Sequence, residues 1–360
     1  MHIGIDGREL GGHVTGVGRF LQRLLREWNL SPEGRRHRYS VYSPDGRTAL
    51  PPDFPGEVVL VPGAGGTRWE QQSLAAAVRR DRPDIFFAPG YGAPLRSSVP
   101  FVVAIHDVSF LAHPEWFGWR EGIRRRTLAR WSAARAARVI TISQFSQTEI
   151  VRHLHLRDDR VQVVRLGIDA PRTPPVSLRE SLVLYVGSIF NRRHVPALLE
   201  AFAQVAAVHP HARLDIVGHD RTHPPERIAH LASVSPARDR VRLRSWVSDE
   251  DLDDLYASAS VFVFLSEYEG FGLTPLEALA AGVPSVVLDT PVAREVLGDA
   301  AVFVDRPDPN AVAEAIAELL NPSSDVRRQV LAAAPGVLAR YRWPAAAATV
   351  LTVLEEAARS

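Results

Sequence analysis

The chain has 360 residues, 46% hydrophobic and 23% charged, with a formal net charge of +1. That is long for one hydrophobic core, right for two domains, and soluble in composition rather than disordered or fibrous. It has no cysteine, and all 42 basic residues are arginine, which excludes disulfides, thiolate nucleophiles, zinc–thiolate sites, a pyridoxal Schiff base and a Walker A lysine.

In chain order, short apolar runs predict strands at 2–5, 39–42, 58–61, 85–88, 101–105 and 139–142. A second series falls at 182–186, 213–217, 241–243, 261–265, 285–288 and 301–304. Amphipathic segments predict helices between many of them, at 18–28, 120–137, 195–209, 249–256, 274–281 and 311–320. Strand–helix–strand alternation of this kind reads as parallel α/β. The segment 169–181, with three prolines in five residues, disfavours both helix and central strand and marks the best boundary. Residues 1–170 and 171–340 are then two doubly wound domains. A further helix at 341–358 follows a break expected at Pro335–Gly336. The first residues are too short and polar a run for a signal peptide, and no stretch reaches the ~18 apolar residues of a spanning helix. The expected location is cytoplasmic.

The most informative segment is Ser266-Glu-Tyr-Glu-Gly-Phe-Gly-Leu-Thr-Pro-Leu-Glu-Ala-Leu-Ala-Ala-Gly-Val-Pro284, which follows a predicted strand. Gly270 and Gly272 allow a tight turn, and Glu269 sits where a carboxylate can accept hydrogen bonds from sugar hydroxyls. Thr274, with Pro275 and Glu277 behind it, reads as the N-cap of a helix whose first amides suit a phosphate. The same Thr274–Glu277 pattern is a capping box that needs no ligand at all. Arg192 and Arg193 stand between a predicted strand and a predicted helix. Two adjacent guanidinium groups there suit a diphosphate, or simply face water. His106 and Asp107 stand at another strand end, as acid–base machinery or as a turn cap. The glycines between Gly11 and Gly18 suit a phosphate, but their spacing departs from the dinucleotide fingerprint. Asp251 and Asp253 resemble a short metal-binding signature, yet fall inside a predicted surface helix. No metal site is expected.

Here the sequence resembles a known family. Glu269 and Glu277, set in Glu-Gly-Phe-Gly-Leu-x-x-Leu-Glu-Ala-x-Ala-x-Gly-x-Pro, form a Glu-x7-Glu motif similar to that of the retaining GT-B glycosyltransferases of family 4, mannosyltransferase-like members especially. The segment Tyr185–His194 before Leu198-Leu-Glu-Ala-Phe202 resembles that family's Arg-Lys-Asn segment, with Arg193 in place of lysine and His194 in place of asparagine. Ile105-His-Asp-Val-Ser-Phe110 resembles the His-Asp-x-x-Phe stretch of the same members, and Thr141-Ile-Ser143 its strand-end serine motif, which would bring Ser143 to the acceptor.

The resemblance implies a GT-B fold of two Rossmann-like doubly wound domains facing each other across a cleft, the first on the acceptor side, the second binding the sugar nucleotide. The C-terminal helix, 341–360, would pack back on the first. His106, Arg192, Arg193 and Glu269 would act at the transferred sugar and its phosphates. Gly16, Val17, Ser188, Trp246, Val247, Phe271, Gly272, Leu273, Thr274 and Glu277 would bind the donor, with Glu277 on the ribose. The implied reaction is metal-independent, retaining transfer from a nucleoside-diphosphate sugar, GDP-mannose favoured and a UDP-sugar next. The acceptor would be the hydroxyl of a glycan, lipid-linked glycan or natural product. A sugar-nucleotide epimerase or a non-catalytic nucleotide-sugar-binding protein would share many of these residues. No separate cofactor and no nucleic acid is expected. One surface feature stands apart: between Arg120 and Arg138 there are seven arginines and one glutamate, with Trp116, Trp119 and Trp131 nearby. As a basic aromatic surface, 116–138 suits the anionic inner face of the plasma membrane; otherwise the aromatics are core and the arginines a solvated face.

Overall fold

The computed structural model describes residues 1–11, 16–169 and 181–359. Among them are thirteen strands: β1 (His2–Asp6), β2 (Arg38–Ser43), β3 (Gly56–Leu60), β4 (Ile85–Ala88), β5 (Phe101–Ala104), β6 (Arg138–Thr141), β7 (Val161–Val163), β8 (Leu182–Val186), β9 (Arg213–Val217), β10 (Val241–Arg244), β11 (Val261–Phe264), β12 (Ser285–Leu288) and β13 (Val302–Val304). The chain divides into two compact units, Met1–Gly167 with Tyr341–Ser360, and Ile168–Arg340. The prolines of the expected boundary, 170–180, and the glycine-loop residues 12–15 lie outside the described residues.

Each unit has its own parallel sheet. The first runs β3-β2-β1-β4-β5-β6-β7 and the second β10-β9-β8-β11-β12-β13. Both are doubly wound, with the order reversing beside the first strand of each unit. Ligands in open α/β sheets bind outside the carboxyl ends of the strands at that reversal. In the first unit it lies between β1 and β4, in the second between β8 and β11. The α/β class is the expected one: two Rossmann-like doubly wound units.

The strands form because their apolar runs are buried on both faces: every residue of β4, β5, β8, β11 and β12 is buried. Helices cover those faces with apolar residues at helical spacing. Gly16–Leu30 buries Phe20, Leu21, Leu24, Leu25 and Trp28, and Val195–Val208 buries Leu198, Leu199, Phe202 and Val205. Each large side chain so buried contributes about 1.5–3 kcal/mol. The terminal helix Trp343–Arg359 belongs to the first unit, where the Trp28 indole donates to the Ala347 carbonyl at 2.9 Å. The break expected at Pro335–Gly336 is a correction: both residues lie inside the helix Asp325–Leu338. Proline removes a single donor there, and Ala339 and Arg340 close the last turn on the carbonyls of Pro335 and Val337.

Candidate functional site

The reversal point of the second unit is built from the two segments that carry the charged motifs. After β8 the chain turns at Gly187, whose φ is +142° and where a Cβ would fall 2.7 Å from Arg193 Nη1. A short helical turn, Asn191–Arg193, follows. His194 in the left-handed region starts the helix Val195–Val208. After β11 the chain runs through Ser266–Gly272 and enters the helix Leu273–Ala280.

These segments meet at Arg193 and Glu269. Arg193 Nε and Nη2 lie 2.8 and 2.7 Å from Glu269 Oε1, and Ser266 Oγ donates to the same oxygen at 2.8 Å. Arg193 Nη1 donates to the Ser188 carbonyl at 2.7 Å, which also accepts from the Tyr185 hydroxyl at 3.2 Å. The guanidinium carbon stands 4.8 Å from the centre of the Phe264 ring. Burial works against the Arg193 charge, but Glu269 more than offsets it, so its proton is held more tightly than usual. Burial pushes the Tyr185 phenol up to about 12, leaving it neutral and a donor. Arg192 lies over the Phe190 ring at 4.3 Å and donates from Nε to the Tyr268 carbonyl at 3.2 Å. Neither arginine merely faces water. The hydrogen bonds to Glu269 converge on one oxygen, which leaves Oε2 oriented by a fixed carboxylate.

Thr274 is not the N-cap, which corrects the sequence reading. Gly272, at φ +92°, takes that place, and the helix begins at Leu273, putting Thr274 at its second position. The cause is the left-handed bend, which glycine alone adopts freely and which starts the helix two residues early. Thr274 and Glu277 therefore form no capping box. The Glu277 carboxylate instead accepts from the Tyr256 hydroxyl at 3.1 Å. No side chain caps this helix start, so its first amides are left to water or a ligand. Phe271 is buried and, with Ser266, Glu269, Gly272 and Thr290, lines a small cavity of about 20 Å³ behind the carboxylate. Leu273 and Thr274 are half-buried in the first turn. Trp246, 65% exposed, and half-buried Val247 follow β10, at the same end of the sheet but two strands away from β8. Asp251 is held by Ser248, the N-cap of the helix Asp249–Ser258.

The other candidates belong to the first unit. Gly16 is exposed and Val17 half-buried at the start of the helix Gly16–Leu30. His106 Nε2 is 2.9 Å from the Pro89 carbonyl, and its ring packs edge-on against Phe20 at 5.1 Å. Burial lowers its pKa, so the neutral ring donates from Nε2 and keeps Nδ1 as acceptor. Asp107 is a turn cap, accepting from the Ser109 amide at 2.8 Å and hydroxyl at 2.6 Å. Ser143, expected at the acceptor, is buried and caps the helix Gln144–Leu154, accepting from the Ser146 amide at 2.9 Å. A strand-end serine before a helix is an N-cap by local chemistry alone. Trp119 and Trp131 are 70% and 53% exposed on the helix Trp119–Arg135, so they are not core. Sequence reasoning missed Tyr256, Ser266 and Tyr185 as partners of the charged residues. Ser266 carried a signal, lying three residues before Glu269; Tyr256 carried none.

The family models agree with this arrangement. "Glycosyltransferase Family 4" matches residues 14–172 and "Glycosyl transferases group 1" matches residues 171–334. O-antigen chain mannosyltransferase B of Escherichia coli is 31% identical over 265 residues, 69% of this chain and 68% of that protein. A D-inositol 3-phosphate glycosyltransferase of Xylanimonas cellulosilytica is 31% identical over 307 residues, 75% of this chain and 69% of that protein. HepE of Anabaena, solved with UDP and glucose, has the same fold at a TM-score of 0.73 and 17% identity, with 98% of this chain and 99% of that one covered. With family models on both sheets and a relative of this similarity, the chain belongs to glycosyltransferase family 4 and is an enzyme that transfers a sugar from a nucleotide donor to an acceptor.

Proposed function

We propose that the sugar is mannose, that GDP-mannose is the donor, and that transfer proceeds with retention. A UDP-sugar is the next choice. The observation that carries the site is the Arg193–Glu269 pair at the reversal point of the second sheet, with the Gly272 turn next in the chain and Glu277 on the helix that follows it. The mannose preference is supported by the similarity to O-antigen chain mannosyltransferase B. The nucleotide-diphosphate reading is supported by a fold shared with a protein solved with UDP.

In this proposal Arg192 and Arg193 hold the diphosphate beside Ser188, and the amides of Leu273 and Thr274, with Gly272 and Phe271, complete the cradle. Glu277 binds the ribose while Tyr256 fixes its carboxylate. Trp246 and Val247 lie along the base. Glu269, its Oε1 saturated by Arg193 and Ser266, offers Oε2 to a hydroxyl of the transferred sugar. In the first unit Gly16 and Val17 offer amides to a phosphate, and neutral His106 can accept from a hydroxyl at Nδ1. The acceptor oxygen forms its bond to the anomeric carbon as the bond from that carbon to the phosphate oxygen breaks. The electron pair leaves with the diphosphate, which takes the acceptor proton on the same face. Fixed arginines stabilise the charge growing on that leaving group, a contribution of about 10²–10³ in rate for one well-placed donor. No metal is assigned a role.

The acceptor in this reading is a glycan or lipid-linked glycan, met in the cytoplasm at a membrane surface. On the helix Trp119–Arg135, exposed Trp119, Ile123 and Trp131 stand among Arg120, Arg124 and Arg130, a composition suited to anionic headgroups. No helix among the described residues is long and apolar enough to cross a membrane.

The test is a calorimetric panel without added metal: GDP, UDP, dTDP, ADP and their common sugar conjugates, each repeated with Glu277→Ala. Selective binding of GDP and GDP-mannose, lost in the variant, is expected, and the product anomer read by NMR should be α. Folded protein that binds none of the panel would sink the donor assignment, and a β product would sink retention.

A further inference from the structure

Arg192 and Arg193 stand on a single helical turn, Asn191–Arg193, and one turn of that kind does not hold itself. No described side chain caps its start, and His194 closes it at φ +48°, a conformation that favours glycine. The turn is held from outside, on two sides. Towards β11, the Glu267 amide donates to the Arg192 carbonyl at 3.0 Å, and Arg192 Nε donates to the Tyr268 carbonyl at 3.2 Å. Towards β9 stands the loop 218–227, which leads into the helix Ile228–Val234. There the contact is made by Asn191, the half-buried residue directly before the arginine pair.

Both donors of the Asn191 side chain and its oxygen are spent on that loop. Nδ2 donates to the Pro224 carbonyl and to Glu226 Oε1, each at 2.9 Å, and Oδ1 accepts from the His223 amide at 2.6 Å. A backbone amide only donates, and a carbonyl and a carboxylate only accept, so the side-chain amide fits in one orientation. The loop is itself tied together. Asp220 Oδ1 accepts from the Thr222 amide at 3.0 Å and hydroxyl at 2.8 Å, and the Glu226 amide donates to Thr222 Oγ1 at 3.0 Å. Two backbone bonds, Ile189 to the His219 carbonyl and Arg221 to the Ile189 carbonyl, each 2.8 Å, seat it against the chain leaving β8. A Cβ on Gly218 would fall 1.9 Å from the Gly187 carbonyl oxygen, so only bare backbone lets the two segments close.

A clamp of this kind matters because guanidinium recognition of phosphate is directional. An arginine fork delivers its hydrogen bonds in a fixed plane, and a misplacement of about 1 Å costs much of their value. We infer that Asn191 is a positioning residue: through the loop 218–227 it sets the place of Arg192 and Arg193, and so the recognition of the second phosphate of a nucleoside diphosphate. The inference rests on the proposed role of the arginine pair and adds the residue through which that role is set. Alanine at 191 would leave the loop three bonds short. Aspartate would keep the size and the acceptor, but would turn an oxygen towards the Pro224 carbonyl and the Glu226 carboxylate. Neither change removes a group from either arginine.

Calorimetry of the full chain with GDP against GMP, and with UDP against UMP, reads the gain from the second phosphate as a ratio of affinities. Wild type should favour the diphosphate of the base it binds by about tenfold or more. In Asn191→Ala and Asn191→Asp that ratio should fall by about three- to tenfold, with monophosphate affinity within about twofold of wild type. Adding Glu226→Gln to Asn191→Asp returns a donor to the pair and should recover at least half of the lost ratio. Thermal unfolding of each sample checks that the variants are folded. A ratio unchanged in both single variants, mono- and diphosphate affinities that fall together, or a double variant no better than Asn191→Asp would overturn the clamp while wild type keeps its diphosphate preference. Wild type with no such preference would overturn the diphosphate role of the arginine pair and the inference with it, so the two failures are told apart.

Discussion

Glu269→Ala removes the carboxylate that holds Arg193, and its effect can be worked from the geometry. Two N–H groups of Arg193 and the Ser266 hydroxyl lose their common acceptor. Breaking a buried ion pair from one side costs about 3–5 kcal/mol. The side chains here are 12% and 18% exposed, so water reaches the stranded guanidinium and the cost drops to or below the bottom of that range, about 2–3 kcal/mol. Arg193→Ala strands Glu269 with Ser266 still donating to it, so about 2 kcal/mol is expected. The double variant leaves neither charge alone, so the two losses do not add. The cycle should return a coupling of about 1.5–2.5 kcal/mol. Urea denaturation of the four proteins measures it, with hydrogen exchange over residues 182–194 separating this unit's opening from the other's. Losses that add within about 0.5 kcal/mol would refute the pair as the organising contact of the site.

Three further outcomes follow from the same geometry. Tyr256→Phe removes one hydrogen bond to Glu277 and nothing else of its ring, so calorimetry should show nucleotide affinity down by a factor of about 3–10; unchanged affinity would remove Tyr256 from the site. His106 has a pKa lowered by burial below the ordinary 6.5, so the unfolded chain binds its proton more readily. Its stabilising effect is complete above 6.5 and is lost as pH falls below that value. His106→Asn should therefore shrink the drop in urea midpoint between about pH 7.5 and pH 5.5, and an identical drop would refute the neutral ring. Trp119→Ala with Trp131→Ala should weaken sedimentation with vesicles containing phosphatidylglycerol by about fivefold or more while nucleotide binding stays unchanged; equal sedimentation would refute the membrane surface.

The sheets were legible because buried parallel strands announce themselves as short apolar runs, and β8 and β11 stand where those runs fall. Only β7, three residues long, left no such run. Arg193 and Glu269 were legible one at a time, each from its own motif. Their contact was not, because it joins residues 76 positions apart and no periodicity spans that distance. Thr274 shows the opposite error: a local pattern with a sound mechanism lost to a neighbour, since Gly272 bends the chain first. Ser143 caps a helix, and an N-cap and a ligand contact ask for the same hydroxyl at the same place, so the sequence does not separate the two.

Asp6, Arg8 and Glu70 form a second charged cluster, in the first unit, which escaped notice altogether. In sequence they are ordinary charges, two near the terminus and one 62 residues from Arg8. Only the order β2-β1-β4 brings the end of β1 beside the Pro89–Gly92 turn and so closes a cavity over them. Both units use one topology, yet what each reversal point carries is set by residues far apart in sequence: Arg193 meets Glu269 in the second, and Arg8 meets Asp6 and Glu70 in the first.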